Sequence, residues 1–404
     1  CIEEEMKNIA VICALPPERN TGMATVDLSA FSNLPRLLPD AKITLYTYGA
    51  TSQYAYQKGE LPFDHVDLLA NPEAYLNSDV FIFWGDFIHS HSYWKLDRGS
   101  WDKSLDALSV EERKKVQADK YADYSKYVFL AGQDKRKLAS SIVFGSTIIT
   151  NEAQDMLDAA YAANYNGLME NAGAVLFRDA LSAAKVSPLR KREATLACDC
   201  ALLLRDDQLA QLGDFSRANT RKGVGVFFGR SSSKMQMLNF ARQVAAEAGE
   251  ELRWVPWFPT LRRLRLPAKL LGYNIPEGHK SVGALLSELT ACRFVITDTY
   301  HMCVNAWRLG IPAICIGDGA ADQNSSLADK KKEIFYEMYG ARRLYAFTEQ
   351  LGLLGRNKKL AASLVKHVQD EQLCSTIHQT IMQHARVAEM RLAAALKNVL
   401  EPSA

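Results

Sequence analysis

Short apolar runs alternate with longer helical patterns along almost the whole chain, and few folds accommodate that alternation. A buried strand, a helix on its face and a second buried strand make a βαβ unit, and repeated units build a parallel sheet. In the first half, NIAVICAL (8–15), ITLYTY (43–48), DVFIFWG (79–85) and SIVFGST (141–147) read as buried strands, and CDCALLL (198–204) as a further strand-like run. Helical patterns fall over 23–37 and 152–164, and AVLFRDALSA (174–183) reads as strand, turn and helix. In the second half the strands are VGVFFG (224–229), LRWVPWF (252–258), FVITD (294–298) and IPAICIG (311–317). An amphipathic helix over 232–249 ends on glycine, and Val282, Leu285, Leu286 and Leu289 share one helical face. The pattern predicts an α/β protein of two Rossmann-like parallel-sheet domains facing a cleft, over 7–205 and 223–375. A polar linker over 206–222 joins them, and a C-terminal helix over 376–404 packs back across their junction. Ligands of such folds bind beyond the carboxyl ends of the strands, which is where chemistry is to be sought.

Composition narrows the classes. The 404 residues are 48% hydrophobic and 23% charged, so the chain has apolar surface enough for two cores and lacks the signature of disorder. Lys and Arg total 48 against 46 Asp and Glu, a net charge of +2, which excludes the strongly basic footprint of a nucleic-acid binder. An anionic ligand must therefore be held by a few placed cations. The eight cysteines sit mostly inside apolar runs, and C-x-C at Cys198 and Cys200 has no second ligand pair nearby, so core packing in a reduced cytoplasmic protein is expected and no metal site. The first residues carry three glutamates and the apolar run after them is too short to span a bilayer, so neither a signal peptide nor a transmembrane segment is expected.

Four stretches place reactive side chains at strand ends. In ITDTYHMCVNAWRLGIPAI (296–314), a strand ends at Asp298, and Thr299, Tyr300 and His301 open the next helix. Imidazole titrates near neutrality, and a helix N-terminus favours an anion beside it. In FFGRSSSKMQ (227–236), Gly229 is followed by Arg230, Ser231, Ser232 and, in the first helical turn, Lys234. Backbone N–H groups, hydroxyls and two cations there suit a phosphate or carboxylate, although the spacing is not that of a Walker A loop and simple N-capping explains the serines equally well. In LFRDALSAA (176–184), Arg178 and Asp179 lie between a strand and a helix, placing a guanidinium at the carboxyl edge of the first domain. In DVFIFWGDFIHSHSYW (79–94), Trp84, Asp86, His89 and His91 combine aromatic and hydrogen-bonding groups as a sugar acceptor requires. Gly22, in the turn before the first helix, allows close approach to a ligand.

Together these stretches resemble the polysaccharide pyruvyl transferase family over roughly residues 8–316. TDTYHMCVNAWRLGIPAI (297–314) is similar to its strand–(D-S/T/R-x-H)–helix–G-x-P signature, LFRDALSA to its R-D-x-x-S segment, and CDCALLL to its D-P-A-x-L-L stretch, with Cys200 in place of proline. SDVFIFWGD is similar to its strand before a glycine-rich turn, with Trp84 where many members have glycine, and NTGMATVDL to its N-x-G-D-x helix start, without the acidic residue. The resemblance implies a glycosyltransferase-B-like architecture and transfer of a pyruvyl group from phosphoenolpyruvate onto two sugar hydroxyls as a ketal, on a capsule or exopolysaccharide or its precursor. It implies that His301 protonates the enol methylene and that Arg178 binds the donor's phosphate or carboxylate. Many members carry Arg two residues before the histidine, where this chain has Thr299, so Arg230 and Lys234 are the cations to replace it.

The expected partners are phosphoenolpyruvate as co-substrate and a saccharide acceptor, free or lipid-linked, with no cofactor and no nucleic acid. Contact with the inner face of a membrane is compatible with the basic run TLRRLRLPAKL (260–270), which a solvated face explains at least as well. Two other classes fit the same pattern. One is a nucleotide-sugar-dependent glycosyltransferase, for which Asp318 and Asp322 are the available acids; the other is a non-catalytic sugar-binding relative that keeps the fold.

Overall fold

The computed structural model describes residues 6–13, 20–48, 60–94, 108–190, 194–213, 221–229, 233–258, 268–276, 278, 280–319 and 329–401. Arg230, Ser231, Ser232, Asp322 and 260–267 of the basic run lie outside the described residues. The chain groups into two compact units, one of Cys1–Glu18, Ser29–Leu203 and Ala385–Ala404, the other of Arg19–Leu28 and Leu204–His384. Each is an α/β layer structure on a parallel sheet, the glycosyltransferase-B-like architecture.

The first unit holds seven strands: β1 Lys7–Cys13, β2 Ala41–Thr47, β3 Val66–Asp67, β4 Val80–Trp84, β5 Ser141–Ser146, β6 Ala174–Phe177 and β7 Thr195–Leu196. Their order is β3-β2-β1-β4-β5-β6-β7, and every pairing is parallel. β4 and β5 are buried at every position, as central strands covered on both faces must be. That is why they read as unbroken apolar runs rather than alternating ones. CDCALLL forms no strand. Its residues Cys200–Leu203 make a buried 3-10 turn, because Asp199 accepts the Ala201 N–H at 3.0 Å and bends the chain out of extended geometry just after β7.

The second unit holds β8 Val224–Phe227, β9 Leu252–Trp254, β10 Phe294–Thr297, β11 Ala313–Gly317 and β12 Tyr345–Phe347, all parallel, in the order β12-β11-β10-β8-β9. The helix Lys234–Ala248 follows β8 and closes on Gly249 in the left-handed conformation. Val282–Ala291 is capped by Ser281, whose hydroxyl accepts the Ala284 N–H, and it buries Val282, Leu285, Leu286 and Leu289 as their spacing predicts. Part of the stretch read as a linker is helical. Asp206–Leu212 starts with two aspartates in its first turn and buries Leu209, so its polar composition is that of an amphipathic surface helix. The helix Glu371–Leu400 contributes 30 residues at the C-terminal end, and no helix among the described residues is long and apolar enough to cross a membrane. All seven described cysteines are buried free thiols, Cys198 and Cys200 among them.

Candidate functional site

In the second unit the strand order reverses between β8 and β10, and the turns leaving the carboxyl ends of those two strands are the ones singled out in the sequence. Asp298, 1% exposed, ties them together: its Oδ1 accepts the Gly229 N–H at 2.8 Å and the Thr299 hydroxyl at 3.1 Å. The Thr297 hydroxyl donates to the Phe227 carbonyl at 2.6 Å and accepts the Thr299 N–H at 3.0 Å, so the backbone entering the next helix is fixed from both sides. Thr299 is thus spent on holding the turn. Tyr300 and His301 form the first turn of the helix Tyr300–Arg308 and are 6% and 8% exposed. The Tyr300 ring meets the imidazole edge-on at 5.1 Å and packs on Phe335, with the Lys331 ammonium 5.3 Å above its centroid.

The face of His301 is set by residues far away in sequence. A methyl on Gly22 would overlap the Cβ, Cγ and Nδ1 of His301, so only glycine lets the start of the helix Thr21–Leu37 lie against the imidazole. The Thr25 hydroxyl donates to the Gly22 carbonyl at 2.7 Å and accepts from Asn305 Nδ2 at 3.0 Å. The same Asn305 amide donates to the His301 carbonyl at 2.8 Å. Thr25 and Asn305 are buried, and Thr21 adds a bond to the Trp257 carbonyl at 2.9 Å. Gly22, expected to approach a ligand, approaches the histidine.

One cation here went unnoticed in the sequence. Lys332 is 3% exposed, donates to the Asp298 carbonyl at 3.0 Å and pairs with Asp329 at 2.5 Å. Burial works against its charge, but Cys315, Asp329 and Asp298 around it outweigh burial and hold the ammonium above the ordinary lysine range. It reads as solvated in the run KKKE (330–333), whose helical spacing turns the third lysine inward. Lys234, half-buried, opens the helix after β8.

In the first unit, Arg178 follows β6 and is 6% exposed. Its Nη1 donates to Asp199 at 3.0 Å, and its guanidinium lies 5.4 Å from the Phe87 ring centre. Its sequence neighbour Asp179 is engaged elsewhere: it caps the helix Ala180–Val186 through Ser182 N–H at 2.7 Å, and takes the hydroxyls of Ser182 at 2.8 Å and Thr147 at 2.7 Å. Asp86, after β4, has φ 51, a left-handed backbone that non-glycine residues adopt at a cost, and its carboxylate accepts the Tyr93 hydroxyl at 2.6 Å.

Three neighbours of Asp86 expected to face a sugar are committed to the interior or to local pairs. Trp84 is fully buried in β4, stacked on Phe144 and bonded to Ser29. His89 is fully buried between Phe83 and Phe129, with Nε2 on the Val128 carbonyl at 2.9 Å; burial pushes its imidazole down to about 4, the carbonyl bond opposing. A ring enclosed this way has no face to offer a sugar. His91 lies against Tyr161 and pairs through Nδ1 with Asp155 at 2.7 Å, with Asp158 at 3.6 Å from Nε2. The alternation of H-x-H carries no sign of this, because the aromatic shell around the pair is completed by Phe129 and Tyr161, both distant in sequence.

Comparison with known proteins supplies the context. The family model for polysaccharide pyruvyl transferase matches residues 28–319, a span that contains Arg178, Gly229, Lys234 and the whole turn from Asp298 to His301. No curated protein matches the chain in sequence. Among solved structures, one from Listeria monocytogenes described as a UDP-N-acetylglucosamine 2-epimerase is 11% identical, with a TM-score of 0.56 and coverage of 99% of this chain and 98% of that one. The UDP-GlcNAc 2-epimerase from Neisseria meningitidis, bound to UDP-GlcNAc, is 10% identical at TM-score 0.53, covering 97% and 100%. The enzyme from Methanocaldococcus jannaschii is 8% identical at TM-score 0.50, covering 90% and 93%. At these identities the likeness is one of fold alone.

Proposed function

Because the chain belongs to the polysaccharide pyruvyl transferase family, and is therefore a transferase, we propose that it moves the pyruvyl group of phosphoenolpyruvate onto two hydroxyls of a saccharide. The observation that supports this reading is the construction around His301: a nearly enclosed imidazole on the first turn after β10, backed by Gly22 and held through Asn305. That much fixation suits a group whose proton must meet one carbon atom.

In the proposed reaction the His301 imidazolium gives its proton to the methylene carbon of the enol, which becomes the methyl group. The oxocarbenium so formed is captured by one sugar hydroxyl, the bond from that carbon to the phosphate oxygen breaks, and the second hydroxyl closes the ketal. One of the two hydroxyl protons returns to the imidazole and the other leaves with phosphate, so the sum is ketal plus hydrogen phosphate. The atoms balance with phosphoenolpyruvate and the diol alone, and we assign phosphoenolpyruvate as co-substrate with no redox or carrier cofactor. Lys234, with Arg230, Ser231 and Ser232 of the same segment, is assigned to the donor's anionic groups, and Arg178, oriented by Asp199, to an anionic substrate group. Asp86, held by Tyr93, is assigned to the acceptor. We place the reaction in the cytoplasm or at the inner face of the membrane, on precursors of a capsule or exopolysaccharide, free or lipid-linked.

General acids of this kind contribute about 10²–10⁴-fold. His301→Gln is therefore expected to lower phosphoenolpyruvate-dependent phosphate release, assayed with a panel of glycans, by at least roughly 10². Undiminished release from that variant would remove the assignment of the acid, and glycans that never gain a pyruvate ketal by mass would remove the reaction.

A further inference from the structure

The turn that follows β12 is built to expose two leucines. Leu353–Gly355 forms a short 3-10 turn in which Leu353 is 85% exposed and Leu354 64% exposed. Leu354 has φ 53 and ψ 26, left-handed values that a branched side chain adopts only where its surroundings enforce them. The surroundings do so. Gln236 Nε2 donates to the Gly352 carbonyl at 2.9 Å and Asn239 Nδ2 to the Leu354 carbonyl. Asn357 donates its N–H to Gln243 at 2.9 Å and its amide to the Gln350 carbonyl at 2.7 Å. A methyl on Gly355 would overlap the Gln236 backbone, so the turn is pressed directly onto the helix Lys234–Ala248. A segment pinned this firmly keeps its leucines in water by construction.

The charge beside the leucines has one sign. Arg356, Lys358 and Lys359 are exposed, and none of them pairs with another described residue. The stretch 350–369 contains no Asp or Glu, and the adjoining helix begins with Lys234 and an exposed Met235 and has no acid before Glu247. The nearest acid on the other side, Glu349, is occupied by the Gly319 N–H at 3.0 Å and the Thr348 hydroxyl at 3.4 Å. From the apolar tip and the exposed cations that follow it in sequence we propose that this turn docks the protein on an anionic lipid bilayer. A protein partner would need about 800 Å² of matched surface with an apolar centre, and a single two-leucine turn is far from supplying it. A bilayer takes a small apolar protrusion without shape matching, and its anionic headgroups attract the unpaired cations. Since all five strands of this sheet are parallel, the turn after β12 stands at the same edge as the turn after β10 that carries His301. The proposal rests on exposure and charge and is independent of the chemistry assigned to His301.

Sedimentation of the full chain with vesicles tests it. Phosphatidylglycerol–phosphatidylcholine vesicles should retain the protein, phosphatidylcholine vesicles should retain much less, and salt should weaken the former. Leu354→Gly fits the left-handed backbone and Leu353→Ser is at an exposed site, so both variants should melt as the wild type does while each loses roughly tenfold in partitioning. Neutralising Arg356, Lys358 and Lys359 to Gln together should abolish the preference for anionic lipid, at about fivefold per cation. Failure of the wild type to bind, equal binding to both lipids, or variants that bind like the wild type would each overturn the proposal. So would leucine variants that change the oligomeric state by light scattering while leaving vesicle binding intact.

Discussion

Two histidines near strand ends show how little the residue type decides. His301 and His89 both follow an apolar strand within a few positions, yet one lies against a glycine at a helix start and the other between two phenylalanines. Gly22 is the residue that makes the difference for His301. Gly22→Ala must displace the imidazole or the helix start, at about 1–3 kcal/mol of overpacking. We expect a modest fall in Tm and a loss of at least tenfold in kcat, roughly the cost of 1.4 kcal/mol in the transition state; an unchanged kcat would show that the imidazole's position is immaterial. For His89 the expectation is thermodynamic. Its folded-state value of about 4 lies below the ordinary 6.5, so the unfolded chain takes up the proton first. The stability it contributes is complete above about pH 6.5 and is lost as the pH falls towards 4, up to about 3 kcal/mol. His89→Phe loses the bond to Val128 at every pH but does not titrate, so the variant should gain on the wild type by up to that amount over this interval. A stability difference that stays constant from pH 7 to pH 4 would contradict the burial of a neutral ring.

At the scale of elements, the strands were legible because strands covered on both faces leave unbroken apolar runs, and β4, β5, β10 and β11 are of that kind. Two of the departures come from a polar side chain bonding to the backbone or to a distant partner. Asp199 turns CDCALLL aside while holding Arg178, and Lys332 is drawn inward by Asp298 and Asp329. Such bonds leave no periodic trace. The strand-to-helix turns themselves were readable, since a reactive residue after an apolar run and before a helix is a local pattern; the groups behind them were not. The Arg178–Asp179 turn gives a test at this scale. Asp179 caps its helix and also takes two hydroxyls, so Asp179→Ala should cost roughly 2–4 kcal/mol, with Asp179→Asn well below that because the amide oxygen can still cap. Thermal melts of the two variants that coincide would mean that the helix does not depend on this cap.

For the whole molecule, a net charge of +2 means that the binding of a small anion rests on a handful of side chains and should be saturable and specific. Phosphoenolpyruvate at about a hundred times its Kd would stabilise the native state by roughly 2.7 kcal/mol. A thermal-shift series with phosphoenolpyruvate, UDP and GDP is therefore expected to raise Tm with the first alone, and a rise with a nucleotide only would favour a glycosyltransferase. The second unit is not continuous along the chain: Thr25 and Asn305, which share a hydrogen bond, are 280 residues apart, and the residues around Gly22 belong with those that follow Leu204. A ribosome making this protein delivers Thr25 280 residues before it delivers Asn305. The imidazole of His301 therefore takes its support from two segments made far apart in time, and a nascent chain that ends between them holds one half of the arrangement without the other.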